Sequence, residues 1–112
     1  MKRFIDAIFR AWGSDVTLVM GSERVTVRAI LEPVTSVRMQ AMRRLIRDAG
    51  EIPQGEYLYL GPAQAQILQA DYLLRDGEIF LPRRSERFFA KGKPLYIWGL
   101  ALRAGEESTW EN

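Results

Sequence analysis

Four carboxylates and a serine lie close together in one stretch of the 112-residue sequence, at Asp71, Asp76, Glu78, Ser85 and Glu86. Two carboxylates can serve as the acid and base of a glycosidase, and a serine becomes a nucleophile when a base activates it. However, Asp76 belongs to an Asp-Gly turn signal, and neighbouring arginines keep the other carboxylates ionised at the surface. Ser85 has no candidate base. We therefore expect no catalytic residue and interpret the protein as a non-enzyme.

Metal and cofactor chemistry also lacks its usual side chains. The sequence contains no cysteine and no histidine, so no disulfide or thiolate site can form. The commonest metal ligand and the commonest base near neutral pH are likewise missing. Neither a P-loop nor a Rossmann glycine pattern is present. We expect no metal site, no cofactor and no small-molecule substrate.

One segment mixes basic and aromatic side chains in a way that suits phosphate and base binding. Its members are Phe80, Arg83, Arg84, Arg87, Phe88, Phe89, Lys91 and Lys93. Aromatic rings that stack on bases, beside cations that follow phosphates, are typical of proteins that bind single-stranded nucleic acid. Arginine and aromatic residues also favour protein interfaces, and Glu78 and Glu86 dilute the positive charge. A protein interface and an ordinary solvated strand are therefore the alternatives.

Length and charge restrict the class of protein. A chain of 112 residues with 47% hydrophobic residues fits one globular domain. The net charge is only +2, and thirteen of the sixteen basic residues are arginine, which favours interfaces. The longest uncharged apolar run, over 94–102, is far shorter than the roughly 20 residues that span a bilayer. Residues 1–12 do not form a signal peptide. We expect an intracellular protein with no membrane partner.

The positions of the apolar residues predict a short helix followed by short strands. Phe4, Ile5, Ile8, Phe9 and Trp12 have helical spacing, and a glycine follows. We interpret residues 2–12 as a helix that caps the domain's own core, docks on a neighbouring subunit or lies on a membrane surface. Alternating patterns predict strands at 15–20, 24–31, 56–60, 71–75, 78–84 and 93–102. Residues 62–69 are interpreted as extended, and 36–49 as either a second short helix or an ordered loop.

The strand "KPLYIWGLAL" at 93–102 is apolar on both faces. One face carries Leu95, Ile97, Gly99 and Ala101, and the small residues suit the interior of a narrow barrel. The other face carries Tyr96, Trp98, Leu100 and Leu102. Left exposed, it would form a large apolar patch of the kind that interfaces use. Either the N-terminal helix, through Ile8, Phe9 and Trp12, or a second copy of the chain must cover it.

The predicted elements fit a mainly β protein. We expect a small antiparallel β-barrel or sandwich of five to seven strands, with an N-terminal helix and a second short helix if 36–49 is helical. A single barrel domain would span 1–103, with its N-terminal helix at 1–13. Residues 104–112 contain three glutamates and no basic residue, and we expect a flexible acidic tail there.

The order of these segments resembles the small β-barrel head–tail joining proteins of tailed phages and prophages. The resemblance covers roughly 16–103 and rests on "VTLVMGSERVTVRAIL", "YLYLGP", "ADYLLRDGEIFLPRRSERF" and "PLYIWGLAL". The matching positions are Gly61, Pro62, Asp71, Arg84, Glu86, Tyr96 and Trp98. The helix at 2–12 and the arginine-rich segment at 38–47 match this family poorly.

This resemblance implies a structural connector protein. Copies would assemble as a homo-oligomeric ring between the portal and tail proteins, in the bacterial cytoplasm and then in the virion. The interface or helix cap would use Phe9, Trp12, Tyr96, Trp98 and Leu100. The basic residues facing the channel or a partner would be Arg43, Arg44, Arg47, Arg83, Arg84 and Arg87, in non-specific contact with passing DNA. The alternative function is that of a single-stranded nucleic-acid-binding barrel.

Overall fold

Six antiparallel strands close into a barrel, and one helix packs against its outer surface. The computed structural model describes residues 2–36 and 56–106. The elements are helix α1 Lys2–Trp12 and strands β1 Ser14–Met20, β2 Glu23–Pro33, β3 Tyr57–Pro62, β4 Tyr72–Arg75, β5 Glu78–Ala90 and β6 Lys93–Glu106. The order around the barrel is β1-β2-β3-β6-β5-β4. The prediction of a small antiparallel barrel with an N-terminal helix is confirmed.

Tight turns connect β4 to β5 and β5 to β6. Asp76 and Gly77 have φ angles of 51° and 78°, and Lys91 and Gly92 have φ angles of 53° and 78°. A two-residue type I′ turn needs positive φ at both central positions, and its twist matches that of the flanking strands. The Asp-Gly hairpin prediction is therefore confirmed. The turn that follows Ala90 has the same form.

Alternate residues of every strand fill the barrel. The buried set is Val16, Leu18, Ala29, Leu31, Tyr59, Ala65, Ile67, Ala70, Leu73, Phe80, Ile97 and Ala101. On β6 the inward face contains Ile97, Gly99 and Ala101, as the sequence predicts. A Cβ atom at Gly99 would lie 2.5 Å from Ile67 Cδ1 and 2.8 Å from the carbonyl oxygen of Arg84. A small residue is required there because the interior is already full.

Tyr59 and Gly61 form a second close contact inside the barrel. The two residues are two apart on β3, so they share its inward face. The Tyr59 ring lies over Gly61 and occupies the space that a Cβ atom would take. The Tyr59 side chain is fully buried, and its hydroxyl has no hydrogen-bond partner among the residues described. Burial disfavours the phenolate and raises the pKa of Tyr59 well above its usual value.

Several strand boundaries differ from the sequence-based ones. β3 continues through Gly61 and Pro62, where a break was expected, because both residues pair with β6. β5 continues beyond the expected end at 84 to Ala90, and a register shift between Pro82 and Arg84 accommodates the proline as a bulge. β5 and β6 then pair with each other as far as Ala90 and Lys93. At the other end Glu106 pairs with Glu78, so 104–106 belong to β6 and not to a flexible tail.

The segment after β3 turns and places Ile67 inside the barrel. It ends in a short 3-10 helix, Ile67–Gln69, where an extended segment was expected. The Gln66 side chain caps this helix by accepting a hydrogen bond from the backbone N–H of Leu68. Apart from Ser36, the predicted helix or loop at 36–49, with Arg43, Arg44 and Arg47, lies outside the described residues, as does the predicted tail from 107 onward.

Candidate assembly interface

The outward face of β6 is covered by α1. Tyr96, Trp98 and Leu100 are at most 5% exposed. They form one cluster with the helix residues Ile5 and Phe9, and the other buried members are Ile30, Val34, Leu58 and Leu60. Ile8 packs against the edge of this cluster. Of the two covers that the sequence allows, the helix is therefore the one that the structure shows.

Arg28 helps to hold the C-terminal end of α1 against the barrel. The Arg28 side chain points outward from β2, because Val27 and Ala29 belong to the inward set. Its guanidinium donates hydrogen bonds to the carbonyl oxygens of Arg10 and Gly13, and Asp15 lies 3.6 Å away. Carbonyls at the end of a helix lack intrahelical partners, and a cation interacts favourably with them. Arg28 therefore fixes where the helix leaves the barrel surface.

The predicted interface residues separate into buried and exposed ones. Phe9, Tyr96, Trp98 and Leu100 lie in the cluster beneath the helix, within their own chain. Trp12 is 45% exposed and is not a member of that cluster, although the sequence favoured it as part of the cover. Two further residues of the last strand also differ from expectation. Leu102 is 38% exposed, and Leu95 packs against the helix-covered cluster instead of the interior.

The β5–β6 hairpin extends past the rest of the barrel. The pairing of β3 with β6 ends at Pro62 and Tyr96, and β4 pairs with β5 only near the start of that strand. Residues 89–90 and 93–94 therefore pair with each other alone. We call residues 89–94 the projecting hairpin. It exposes Phe89, Lys91 and Lys93, and Phe89 is 55% exposed.

The three arginines of β5 are engaged within the chain. Arg83 lies 4.0 Å from the Glu56 carboxylate. Arg84 lies 3.6 Å from Glu86, and its guanidinium carbon is 4.9 Å from the centre of the Trp98 ring. The Arg87 Nε atom donates a hydrogen bond of 3.0 Å to the carbonyl oxygen of Ala63. These contacts place the arginines along the hairpin base, where they connect β5 to its neighbours.

The aromatic residues of the same segment point in different directions. Phe80 is fully buried inside the barrel. Phe88 is half-buried and stacks on Tyr96, with ring centres 5.0 Å apart. Phe89 has its side chain exposed at the tip. Single-stranded nucleic-acid binders stack successive bases on a row of aromatic rings. The three rings of this segment do not form such a continuous surface.

The carboxylates and the serine that were first considered as catalytic residues contact other groups of the barrel. The Asp71 carboxylate accepts a hydrogen bond of 2.8 Å from the backbone N–H of Gly21. The Ser85 hydroxyl donates to the Gln66 side chain. Glu78 accepts a hydrogen bond from Arg103 and lies 3.5 Å from Arg75. Across the described ranges, no group of three or more acidic residues is arranged to hold a metal ion.

Glu78 belongs to a charged cluster beside the barrel interior. The hydrogen bond from Arg103 is the largest influence, and it lowers the pKa of Glu78 below its usual value. The Arg75 guanidinium lies over the rings of Phe80 and Tyr57, at 5.2 and 5.9 Å from their centres. It also donates to the carbonyl oxygen of Leu31. The cluster thus links β2, β4, β5 and β6.

The chain was compared with family models, with curated proteins and with solved structures. No family model, no curated protein and no solved structure matches it.

In residues 2–36 and 56–106, no helix is long and apolar enough to cross a bilayer.

Sequence reasoning missed three features that the geometry reveals. The contact between Tyr59 and Gly61 could have been suspected from their spacing, because residues two apart on a strand share a face. The exposure of Phe89 depends on where β3 and β4 end, and single-strand patterns do not show this. The role of Arg28 depends on where the helix lies, and no local pattern indicates that position.

Proposed function

We propose that the protein is a structural connector subunit that assembles with its own copies into a ring. By the resemblance described above, this ring would lie between the portal and tail proteins of a phage or prophage. The proposal concerns contacts between proteins and requires no reaction. The barrel supplies a rigid body, and the surface features that it presents determine which neighbours it binds.

The projecting hairpin is the observation that carries this proposal. A two-stranded ribbon that leaves the barrel has few contacts within its own chain, so its stability must come from the strands behind it. An aromatic ring exposed to water at such a tip is unfavourable, and burying it against a partner surface would be favourable. Phe89 with Lys91 and Lys93 is a compact combination of this kind, and aromatic residues are enriched at interfaces.

Ring formation follows if the hairpin of one copy contacts a different surface of the next copy. Such a heterologous contact repeats the same rotation at every step, and it closes when that rotation divides a full turn. The arginines at 43, 44 and 47 would face the channel or the portal in this proposal. Positive charge there would tolerate passing DNA through contacts with phosphates, irrespective of the base sequence.

Co-assembly with a portal protein from the same genome tests the proposed function. The tagged chain would be mixed with the purified portal, separated by size and imaged by negative-stain electron microscopy. We expect an added ring of density on the portal, with cyclic symmetry. A portal that emerges without the bound chain at concentrations of tens of micromolar would contradict the connector function.

A single-stranded nucleic-acid-binding barrel is the second candidate. Lys91 and Lys93 beside the exposed Phe89 favour it, because a cation next to an open ring can bind a stacked base and its phosphate. This function predicts a salt-dependent shift of a labelled oligonucleotide that Phe89→Ala, Arg84→Ala and Phe88→Ala weaken. The connector proposal predicts that Phe89→Ala leaves any non-specific shift unchanged, so a shift lost in Phe89→Ala would favour the second candidate.

A further inference from the structure

An apolar pocket of about 340 Å³ lies between the β1–β2 hairpin and the segment 62–69. Its walls include Leu18 and Met20 of β1 and Val25 and Val27 of β2. Val25 is 42% exposed, so this wall of the pocket is open to solvent. A dry apolar cavity of roughly 150 Å³ is enough to bind benzene, so this pocket has room for an aromatic side chain.

We propose that the pocket receives Phe89 from the projecting hairpin of a second copy of this chain. The inference rests on the proposed ring function and identifies the contact that would build the ring. No residue of the projecting hairpin lines the pocket within the same chain. Two β5 residues reach the segment 62–69, Ser85 through Gln66 and Arg87 through Ala63, and Phe89 lies two residues beyond Arg87 along the strand. At about 3.3 Å per residue, Phe89 is roughly 7 Å beyond the Ala63 contact.

Charge complementarity supports this occupant. Glu23 lies on the same face of β2 as Val25 and Val27, whereas Arg24, Thr26 and Arg28 lie on the opposite face, because side chains alternate along a strand. Asp71 is at the pocket rim, since it binds the backbone N–H of Gly21 next to Met20.

The projecting hairpin has the opposite charge. Lys91 lies in its turn and Lys93 follows the turn, two and four residues beyond Phe89. A Phe89 side chain seated in the pocket would bring these two lysines to a rim with two exposed carboxylates, Glu23 and Asp71. Complementary charges at an interface rim orient the partner and speed association. The hairpin and the pocket are different surfaces of one chain, so the contact is heterologous.

Cysteine cross-linking tests the contact directly, because the chain has no cysteine of its own. Ala90→Cys would place a thiol next to Phe89, and Gln64→Cys would place one in the pocket wall. The full-length variants would be mixed under oligomer-forming conditions, with the portal present if it is needed, and then oxidised. We expect a disulfide-linked dimer from the mixture and none from either variant alone. A dimer from Ala90→Cys alone would indicate a symmetric contact and overturn the proposal.

Two further variants separate the contact from the fold. Phe89→Ala should weaken self-association at least about tenfold, as expected for an aromatic anchor. Phe4→Ala is the matched control, because Phe4 is 64% exposed on the helix and lies outside both hairpin and pocket. It should leave association and the cross-link unchanged. Circular dichroism would show whether both variants keep the wild-type fold.

A charge exchange tests the orientation of the contact. Lys93→Glu should reduce the association, and adding Glu23→Lys in the same chain should restore it to within about threefold of wild type. Oligomers that form equally well with Phe89→Ala and give no mixed cross-link would overturn the hairpin contact and leave the connector function standing. Monomers alone, with and without the portal, would overturn both.

Discussion

The last two strands of this protein pass through two different environments. At Tyr96, Trp98 and Leu100, β6 lies between the filled barrel and the helix, and all three residues are at most 5% exposed. A few residues earlier, at 93–94, the same strand pairs with β5 alone. The change occurs where β3 ends, at Pro62. The surrounding elements, and not the strand sequence, therefore decide which part of the hairpin stabilises the fold and which part is available to a partner.

The largest effect should come from the covered region. Trp98→Ala removes a buried ring between the barrel and α1 and should lower the free energy of unfolding by about 3–5 kcal/mol. Trp12→Ala is the matched comparison, because Trp12 is 45% exposed and should lose less than about 1 kcal/mol. Urea unfolding followed by circular dichroism measures both. Equal losses from the two variants would remove the distinction between covered and exposed tryptophans.

Adjacent phenylalanines sharpen the comparison within the hairpin itself. Phe88 stacks on Tyr96, and Phe88→Ala should cost about 1–2 kcal/mol through lost apolar burial and ring contact. Phe89→Ala should change the stability by less than about 0.5 kcal/mol, because the side chain is largely solvent-exposed. Thermal melts of monomeric samples would compare the two. A greater loss from Phe89→Ala would mean that the tip contributes to the fold.

The barrel interior contains one residue whose polar group should weaken the fold. Tyr59→Phe removes a buried hydroxyl without a partner among the described residues and should raise the free energy of unfolding by about 1 kcal/mol. Tyr57→Phe is the control, because Tyr57 is only half-buried and should change little. Chemical denaturation measures the difference. A clear loss of stability in Tyr59→Phe would show that the hydroxyl is hydrogen-bonded.

The smallest effect concerns stability in acid. Arg103 donates a hydrogen bond to the Glu78 carboxylate, which lowers the pKa of Glu78 in the folded state. The resulting stabilisation is present above the unfolded-state pKa, near 4.3, and is lost as the pH falls through the folded-state value. The Glu78→Gln variant should therefore unfold at a lower midpoint than wild type at pH 7. The difference between the two midpoints should be smaller at about pH 3. A difference in midpoint that stays constant between these pH values would contradict this role.

Much of the barrel could be predicted from the sequence because its signals are local. Asp76-Gly77 specifies a hairpin turn through its backbone angles, and the alternation of Ile97, Gly99 and Ala101 indicates a face without room for large side chains. The strand ends were harder to predict. Gly61-Pro62 suggests a break when the strand is considered alone, yet pairing with β6 carries β3 through it. Pro82 predicts an edge position or a bulge, and β5 has a bulge there.

The candidate site was less accessible to sequence reasoning, because it depends on what surrounds each strand. The sequence indicates that Tyr96 and Trp98 need a cover, and it leaves the helix and a second copy as alternatives. The helix buries them, and the large aromatic side chains that stay exposed in the described residues are Phe4, Trp12 and Phe89. Arg84 was assigned to a basic surface, and its guanidinium contacts Glu86 and the Trp98 ring, which the sequence alone does not indicate.

Native mass spectrometry of the full chain tests the central claim most directly, with the protein alone and mixed with a portal protein from the same genome. The account predicts a discrete species whose mass is a whole-number multiple of the 12.9 kDa subunit, in at least one of the two samples. It also predicts that Phe89→Ala shifts this species to monomer and that Phe4→Ala does not. A wild-type chain that remains monomeric in both samples at tens of micromolar would contradict the account.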